Sequence, residues 1–298
     1  MADIKVTFRG VRGSHAMPGK NTIEYGGNTT CIEIQAGEER IIFDAGTGII
    51  SLGKQMLMEH FTKQMPLNCS LFFSHMHHDH NEGLPFFQPM YIANAKIYMF
   101  GPDPLAENIG NVLFQSPYFP VDLKELGALK ILQSIITSDV VIFDNGNPRL
   151  YNTKRKKIDI PEDKVVVRIM KSYAHPKLGV FLFRLEYKNK SVTFCTDTEG
   201  YSGGDTKLIT FAKDTDLLIH DAQYTVANYV SPPVPKQGFG HSTPEMAVEV
   251  AQKAEVKMLA CTHHDPDATD EVLAKEEIRI KELFPNSFYA KDMLVYEI

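Results

Sequence analysis

No stretch of the sequence approaches the roughly 20 consecutive apolar residues that span a bilayer, and the opening MADIKVTFRG lacks the basic-then-apolar pattern of a secretory signal. A cytoplasmic protein without a membrane partner is expected. Cysteine is scarce and scattered: Cys31, Cys69, Cys195 and Cys261 form no C-x-x-C pair of the kind that marks a zinc ribbon or a redox dithiol. Reduced, buried thiols are the expectation. Positive charge is also short. A formal charge of -6 argues against a protein that wraps long nucleic acid by neutralising phosphates, and the one basic run, Lys154 to Lys157, reads as a solvated loop. Neither G-x-S-x-G nor a phosphate-binding glycine loop occurs, and the chemistry expected below requires no Ser or Cys nucleophile. No repeat of about 20–50 residues, low-complexity tract or Gly/Ser linker divides the chain. It reads as a single domain over 1–298 with an insertion or lid around 101–161, where Pro, Gly and aromatic residues such as SPYFP gather.

What is present is a recurring arrangement. Short apolar runs of β-type composition end on a metal-competent or acidic side chain: IIFDAG at Asp44, LFFSHMH at His75, VTFCTD at Asp197, LLIHDA at Asp221 and MLACTHH at His263. Each reads as a buried strand ending at a loop, so five strand ends are expected to converge on one edge. An alternating strand at Ile4, Val6 and Phe8 opens the chain, followed by a Gly-rich loop and further strands to Phe43. The clearest helix follows His241, with cap chemistry at Ser242, Thr243 and Glu245, Pro244 in the first turn, and one apolar face at Ala247, Val250, Ala251 and Ala254. Strands mixed with helices in this way indicate an α/β sandwich.

The sharpest local signal is SHMHHDH, residues 74 to 80. Four imidazoles and a carboxylate crowded at one strand end would repel each other if the imidazoles were charged, and a bound cation removes that cost by taking neutral nitrogens and carboxylate oxygens as ligands. A tight turn sends His75 and His77 to one side and Asp79 and His80 to the other, so two metals are expected, with further ligands from the strand ends: His175, Asp197 and His263. A carboxylate such as Asp197 can serve two cations at once, which a neutral imidazole cannot.

The H-x-H-x-D-H pattern with a later His, Asp and His resembles the metallo-β-lactamase superfamily. The motifs RGVRGSHAMPG, YGGNTTCIEI, FDAGTG, GHSTPE and CTHHDP resemble its tRNase Z-like and cyclic-nucleotide phosphodiesterase-like branch, from about residue 8 to 267. The resemblance implies a four-layer αβ/βα sandwich and two divalent ions, zinc, manganese or iron. It implies His75, His77 and His175 on one metal, Asp79, His80 and His263 on the other, and Asp197 between them. At CTHHDP the pattern favours His263 over His264, and His78 takes the variable place. Asp44 matches an acid that orients metal-bound histidines. His241 matches a proton donor to the leaving oxygen; behind it, where relatives carry His-Glu-Ala-Thr, stand His220, Asp221, Ala222 and Gln223, a carboxylate on a shorter arm. His241, Asp221 and Asp79 form the expected catalytic set, and Gly238 and Gly240 suggest a mobile, exposed His241. His15, His60 and His220 receive no role.

The expected reaction is hydrolysis of a phosphodiester by a hydroxide bridging two metals, with His241 as acid. A small substrate such as a cyclic nucleotide is favoured over long nucleic acid, and a homodimer is compatible with the sequence. The alternatives are a tRNase Z-like RNA-processing nuclease, a non-hydrolytic diiron oxygen- or redox-sensing protein, whose relatives resemble H-x-E-x-D where this chain has His77, and a lactonase or thioesterase.

Overall fold

The computed structural model of the chain describes residues 2–155, 158 and 160–298. Lys156 and Lys157, half of the basic run, lie outside the described residues, and Lys154 is exposed. In chain order the strands are β1 (Ile4–Gly10), β2 (Cys31–Ala36), β3 (Glu39–Phe43), β4 (Asn68–Phe72), β5 (Lys96–Gly101), β6 (Leu129–Ser134), β7 (Asp139–Asp144) and β8 (Asn147–Asn152). They continue as β9 (Val166–Ser172), β10 (Val180–Tyr187), β11 (Lys190–Cys195), β12 (Leu217–Asp221), β13 (Leu259–Thr262), β14 (Ser287–Tyr289) and β15 (Val295–Glu297). The helices are α1 (Gly48–Lys63), α2 (Leu105–Asn108), α3 (Thr206–Ala212), α4 (Val226–Val230), α5 (Pro244–Lys253) and α6 (Asp270–Leu283).

Two mixed sheets result, ordered β15-β1-β2-β3-β4-β5-β6 and β14-β13-β12-β11-β10-β9-β7-β8. Both faces of the central strands are buried, which is why those strands read as unbroken apolar runs rather than as alternations. In β3, Ile41 and Phe43 point into the layer between the sheets while Ile42 joins Ile49, Leu52 and Met56 beneath α1. In β12, Leu217 and Ile219 face the other sheet while Leu218 packs with Leu208 of α3, Val250 and Ala251 of α5, and Leu273 of α6. The order helix, sheet, sheet, helix is the four-layer αβ/βα sandwich. The four cysteines are buried and unpaired, and among the described residues no helix is long and apolar enough to cross a membrane.

The helix after His241 is α5, with Thr243 as N-cap and Pro244 in its first turn. Ala247, Val250, Ala251 and Ala254 are buried as its apolar face, while Glu245 reaches Arg279 of α6 instead of serving the cap. The segment 101–161 adds β6 parallel to β5 at one edge of the first sheet and the β7–β8 hairpin beside β9 at one edge of the second. In SPYFP, Phe119 packs against Phe86 and Phe114, and Tyr118 faces solvent.

The strands that matter for the site run parallel in neighbouring pairs, β3 with β4, and β11 with β12 and β13. Their carboxyl ends therefore share one edge of the sandwich. The aromatic layer beneath that edge holds the two sheets in register: Phe43 stacks on Phe183 and Phe194 at centroid distances of 5.1 and 5.4 Å and meets Phe72 edge-on. Replacing a ring so enclosed leaves a cavity, so Phe43→Ala should lower unfolding stability by about 3–5 kcal/mol. A denaturant-midpoint shift equivalent to less than about 1 kcal/mol would contradict this packing.

Candidate metal centre

Immediately after β3, Asp44 adopts a left-handed backbone conformation, φ 60°, and turns its carboxylate inward, fully buried. Oδ1 accepts the Ser74 N–H at 2.7 Å and Oδ2 accepts the Ser74 hydroxyl at 2.7 Å. Oδ2 also lies 2.8 Å from His80 Nδ1. A carboxylate only accepts, so Nδ1 carries the proton and His80 Nε2 presents its lone pair to the site. Ser74 thus ties the strand end of the first ligand candidate to the acid that orients another, and its place directly before His75 is the signal that sequence reasoning passed over.

Two more strand-end residues share the left-handed conformation, Asp197 at φ 51° and His263 at φ 61°. Such backbone is uncommon outside glycine and is tolerated best by Asn, Asp and His; it concentrates at functional sites. Here it swings each side chain off its strand into the space between the sheets. Gly13 makes room: a Cβ there would fall 2.3 Å from His263 Nδ1.

Three groups of donors result. His75, His77, His175 and Asp197 place one ligand atom each within 4.8 Å of one another; so do Asp79, His80 and His263; so do Asp197, Asp221, His241 and His263. Asp197 divides its oxygens between the first two. Oδ1 lies 3.3 Å from His80 Nε2 and 3.2 Å from His263 Nε2, while Oδ2 lies 3.5 Å from His75 Nε2 and 3.9 Å from His175 Nε2. Asp79 Oδ2 sits 3.2 Å from both His80 Nε2 and His263 Nε2 and accepts the Ser14 N–H at 2.7 Å. His175 donates Nδ1–H to the Gly240 carbonyl at 3.2 Å, which leaves Nε2 facing inward, 3.2 Å from His77 Nδ1.

The residues fit divalent cations on their own chemistry. His75 Nε2 is buried with no hydrogen-bond partner, and the Nε2 atoms of His80 and His263 face each other at 3.3 Å, with Asp79 Oδ2 3.2 Å from both. Such lone pairs with converging carboxylate oxygens suit zinc, manganese or iron. Without an ion the charges compete. Burial and the neighbouring His80 push His75 well below the usual imidazole range. Burial opposes charge on His80 too, yet Asp79, Asp197 and Asp44 hold it well above that range. Asp197, despite burial, is held well below the carboxylate range by His263, His80 and His75.

His241 departs from expectation in one respect. The two glycines before it suggested a mobile, exposed ring, but the ring is buried, stacked on His263 at 5.0 Å and edge-on to His175 at 5.2 Å. The shorter arm of Asp221 reaches it: Asp221 Oδ2 lies 2.7 Å from His241 Nδ1, and Oδ1 accepts the N–H groups of Gln223 and Ser242. Burial disfavours the charged ring, but Asp221 prevails and moves it up to about 9.

The other histidines stand outside the three donor groups, and of them His78 lines the cleft. His264 turns away and pairs Nε2 with the Ala290 carbonyl at 2.8 Å, burial drawing it down to about 3. His220 is buried against its neighbour's carbonyl, and His15, His60 and His78 are not buried. The site opens to solvent as a cleft of about 370 Å³ lined by Ser14, Met76, His77, His78, Asp79, Asp197, His241 and His263.

No family model matches the sequence. Ribonuclease Z of Thermoplasma acidophilum is 25% identical, over 100% of this chain and 97% of the relative. Ribonuclease Z of Sulfurisphaera tokodaii is 29% identical, over 86% and 88%. Among solved structures, the metallo-beta-lactamase fold protein YhfI from Bacillus subtilis superposes with a TM-score of 0.65 at 18% identity, covering 99% of each chain. The short form of human tRNase Z superposes with a TM-score of 0.64 at 19% identity, again over 99% of each. With its two sheets, outer helices and histidine-rich sandwich edge, and with structural likeness along nearly its entire length, this chain has the metallo-β-lactamase fold.

Proposed function

We propose that this protein is a metal-dependent hydrolase of phosphodiesters, with small ones such as cyclic nucleotides as its first class of substrate. The observation that carries the reading is the division of the Asp197 oxygens between two imidazole groups, with the His241–Asp221 pair 2.7 Å apart beside them. His75, His77 and His175 would hold one ion, Asp79, His80 and His263 the other, and Asp197 both. When bound, divalent ions there supply Lewis acidity and lower the pKa of coordinated water toward 7.

The chain's own residues do the rest. Asp44 and the Gly240 carbonyl fix the proton positions of His80 and His175, so that Nε2 of each faces the site. Asp221 holds His241 through Nδ1, leaving Nε2 as the atom that delivers a proton to the departing oxygen. Asp79 belongs with the ligands in this reading, and the Ser14 N–H steadies it.

RNA cleavage is a second reading, favoured by the names and nearly full-length alignment of the sequence relatives. It stands against the expectation that long nucleic acid is excluded. That expectation rested on the absence of a long Gly/Pro/basic arm of the sort that grips tRNA in tRNase Z-like enzymes and on the net charge of the whole chain, and the charge says nothing of the field at one cleft. Assay of one preparation on cyclic nucleotides and on a structured RNA with a 3′ extension separates the readings: faster turnover of the cyclic nucleotides supports the first, and efficient cleavage of the RNA alone replaces it with the second.

Two variants test the roles. Asp197→Ala should lose both ions or nearly so, measured by elemental analysis after gentle purification; full metal content and activity would remove Asp197 from the shared position. His241→Ala should retain metal yet slow the release of a poor alkoxide leaving group by roughly 10²–10⁴-fold. Release of p-nitrophenolate, which leaves without a proton, should suffer much less. Equal losses of kcat/KM for both leaving groups would contradict the acid role.

A further inference from the structure

Glu199 follows Asp197 by two residues and stands in none of the three donor groups. Its carboxylate accepts the N–H of Gly238 at 2.7 Å and of Gly240 at 2.9 Å, and also the hydroxyl proton of Tyr229. Its own N–H points to the Ala174 carbonyl at 3.4 Å, one residue before His175. One residue thereby joins three loops, its N–H reaching that of His175 and its carboxylate holding the stretch from Tyr229 to Gly240 beside that of Asp197.

The stretch is otherwise held by local bonds, Lys236 N–H to the Tyr229 carbonyl at 2.9 Å and Phe239 N–H to the Lys236 carbonyl at 3.0 Å. Residues 231–235 and 237–239 are exposed, Val234 and Phe239 among them, so apolar burial contributes little to its local stability. Its far end is critical. Gly240 has φ +92°, its carbonyl accepts His175 Nδ1–H, and a Cβ there would fall 2.3 Å from that nitrogen. The same residue offers its N–H to Glu199 and precedes the His241 ring. A shift of Gly240 would therefore move His175 and His241 together. The chemistry also selects a carboxylate: two converging backbone N–H groups and a hydroxyl need an acceptor with several lone pairs, whereas a glutamine would offer one oxygen and set an NH₂ against an N–H.

We propose that Glu199 is a positioning residue: its carboxylate clamps the Tyr229–Gly240 stretch against the site and so sets the orientation of His241 toward the leaving oxygen, without itself touching substrate. This rests on the reading of His241 as proton donor. Sequence spacing alone does not reveal it, because the partners are backbone N–H groups about 40 residues away in the chain.

Two readouts test the clamp, applied to the 298-residue chain as wild type, Glu199→Gln and Tyr229→Phe. The first is amide hydrogen exchange in metal-free protein, where Glu199→Gln should speed exchange at Gly238 and Gly240 by about tenfold or more. The second is kcat/KM at saturating metal for an alkyl and a p-nitrophenyl phosphodiester. Glu199→Gln should lose roughly 10–100-fold on the alkyl ester and much less on the other. Tyr229→Phe keeps the carboxylate and removes one of its three partners, so both effects should point the same way and be smaller; it carries the test if Glu199→Gln fails to fold. Unchanged exchange, or faster exchange with equal losses on both esters, would overturn the proposal. A wild type inactive on both esters would instead remove the hydrolase reading, and the exchange data would still decide whether Glu199 holds the loop.

Discussion

The Asp197 carboxylate is 2% exposed, and the cationic or potentially cationic groups found within 4 Å of it are the imidazoles of His75, His80, His175 and His263. A buried carboxylate is costly unless positive charge stands beside it. Protons on these rings would supply that charge only by setting imidazolium ions against one another. Divalent cations would supply it while every ring stays neutral, and Nε2 of His75, His80 and His263 already faces the Asp197 carboxylate. The rest of the edge follows from this constraint. Asp44 must be buried to fix His80, Ser74 must satisfy Asp44, and Gly240 must present its carbonyl to His175.

The fold delivers these groups through a small set of backbone devices. Parallel strands bring their carboxyl ends to one edge, and left-handed residues at Asp44, Asp197 and His263 turn side chains from the strand direction into the gap between the sheets. In the close-packed layer below, Phe43, Phe72, Phe183 and Phe194 pack one sheet against the other. The precision of the site is thus a property of the core as much as of the loops, since a shift between the sheets would part His80 from Asp197.

Much of this was legible because a buried apolar strand that ends in His or Asp must bring that polar side chain to the edge of its sheet, where a partner has to meet it. The five strand ends, the alternation in β1 and the face of α5 lie where hydrophobic periodicity puts them. At CTHHDP, left-handed His263 turns toward Asp79 and Asp197, and His264 turns toward the Ala290 carbonyl. Other features left no local trace. Paired glycines before His241 suggested freedom, because sequence cannot show that their N–H groups are taken by Glu199. The aromatic segment after Gly101 carried no clear period because its pieces go to different places: β6 to one sheet edge, β7 and β8 to the other, and Phe119 onto Phe86 and Phe114. Net charge says least about the site, since a whole-chain sum cannot describe the cleft.

The most direct test of the account is metal stoichiometry joined to activity. Protein stripped with chelator, reloaded separately with zinc, manganese or iron and freed of excess ion should carry about two ions per chain with at least one of these metals, and hydrolysis of bis(p-nitrophenyl) phosphate should vanish on stripping and return on reloading. Binding of one ion or none, or hydrolysis that survives complete stripping, would contradict it.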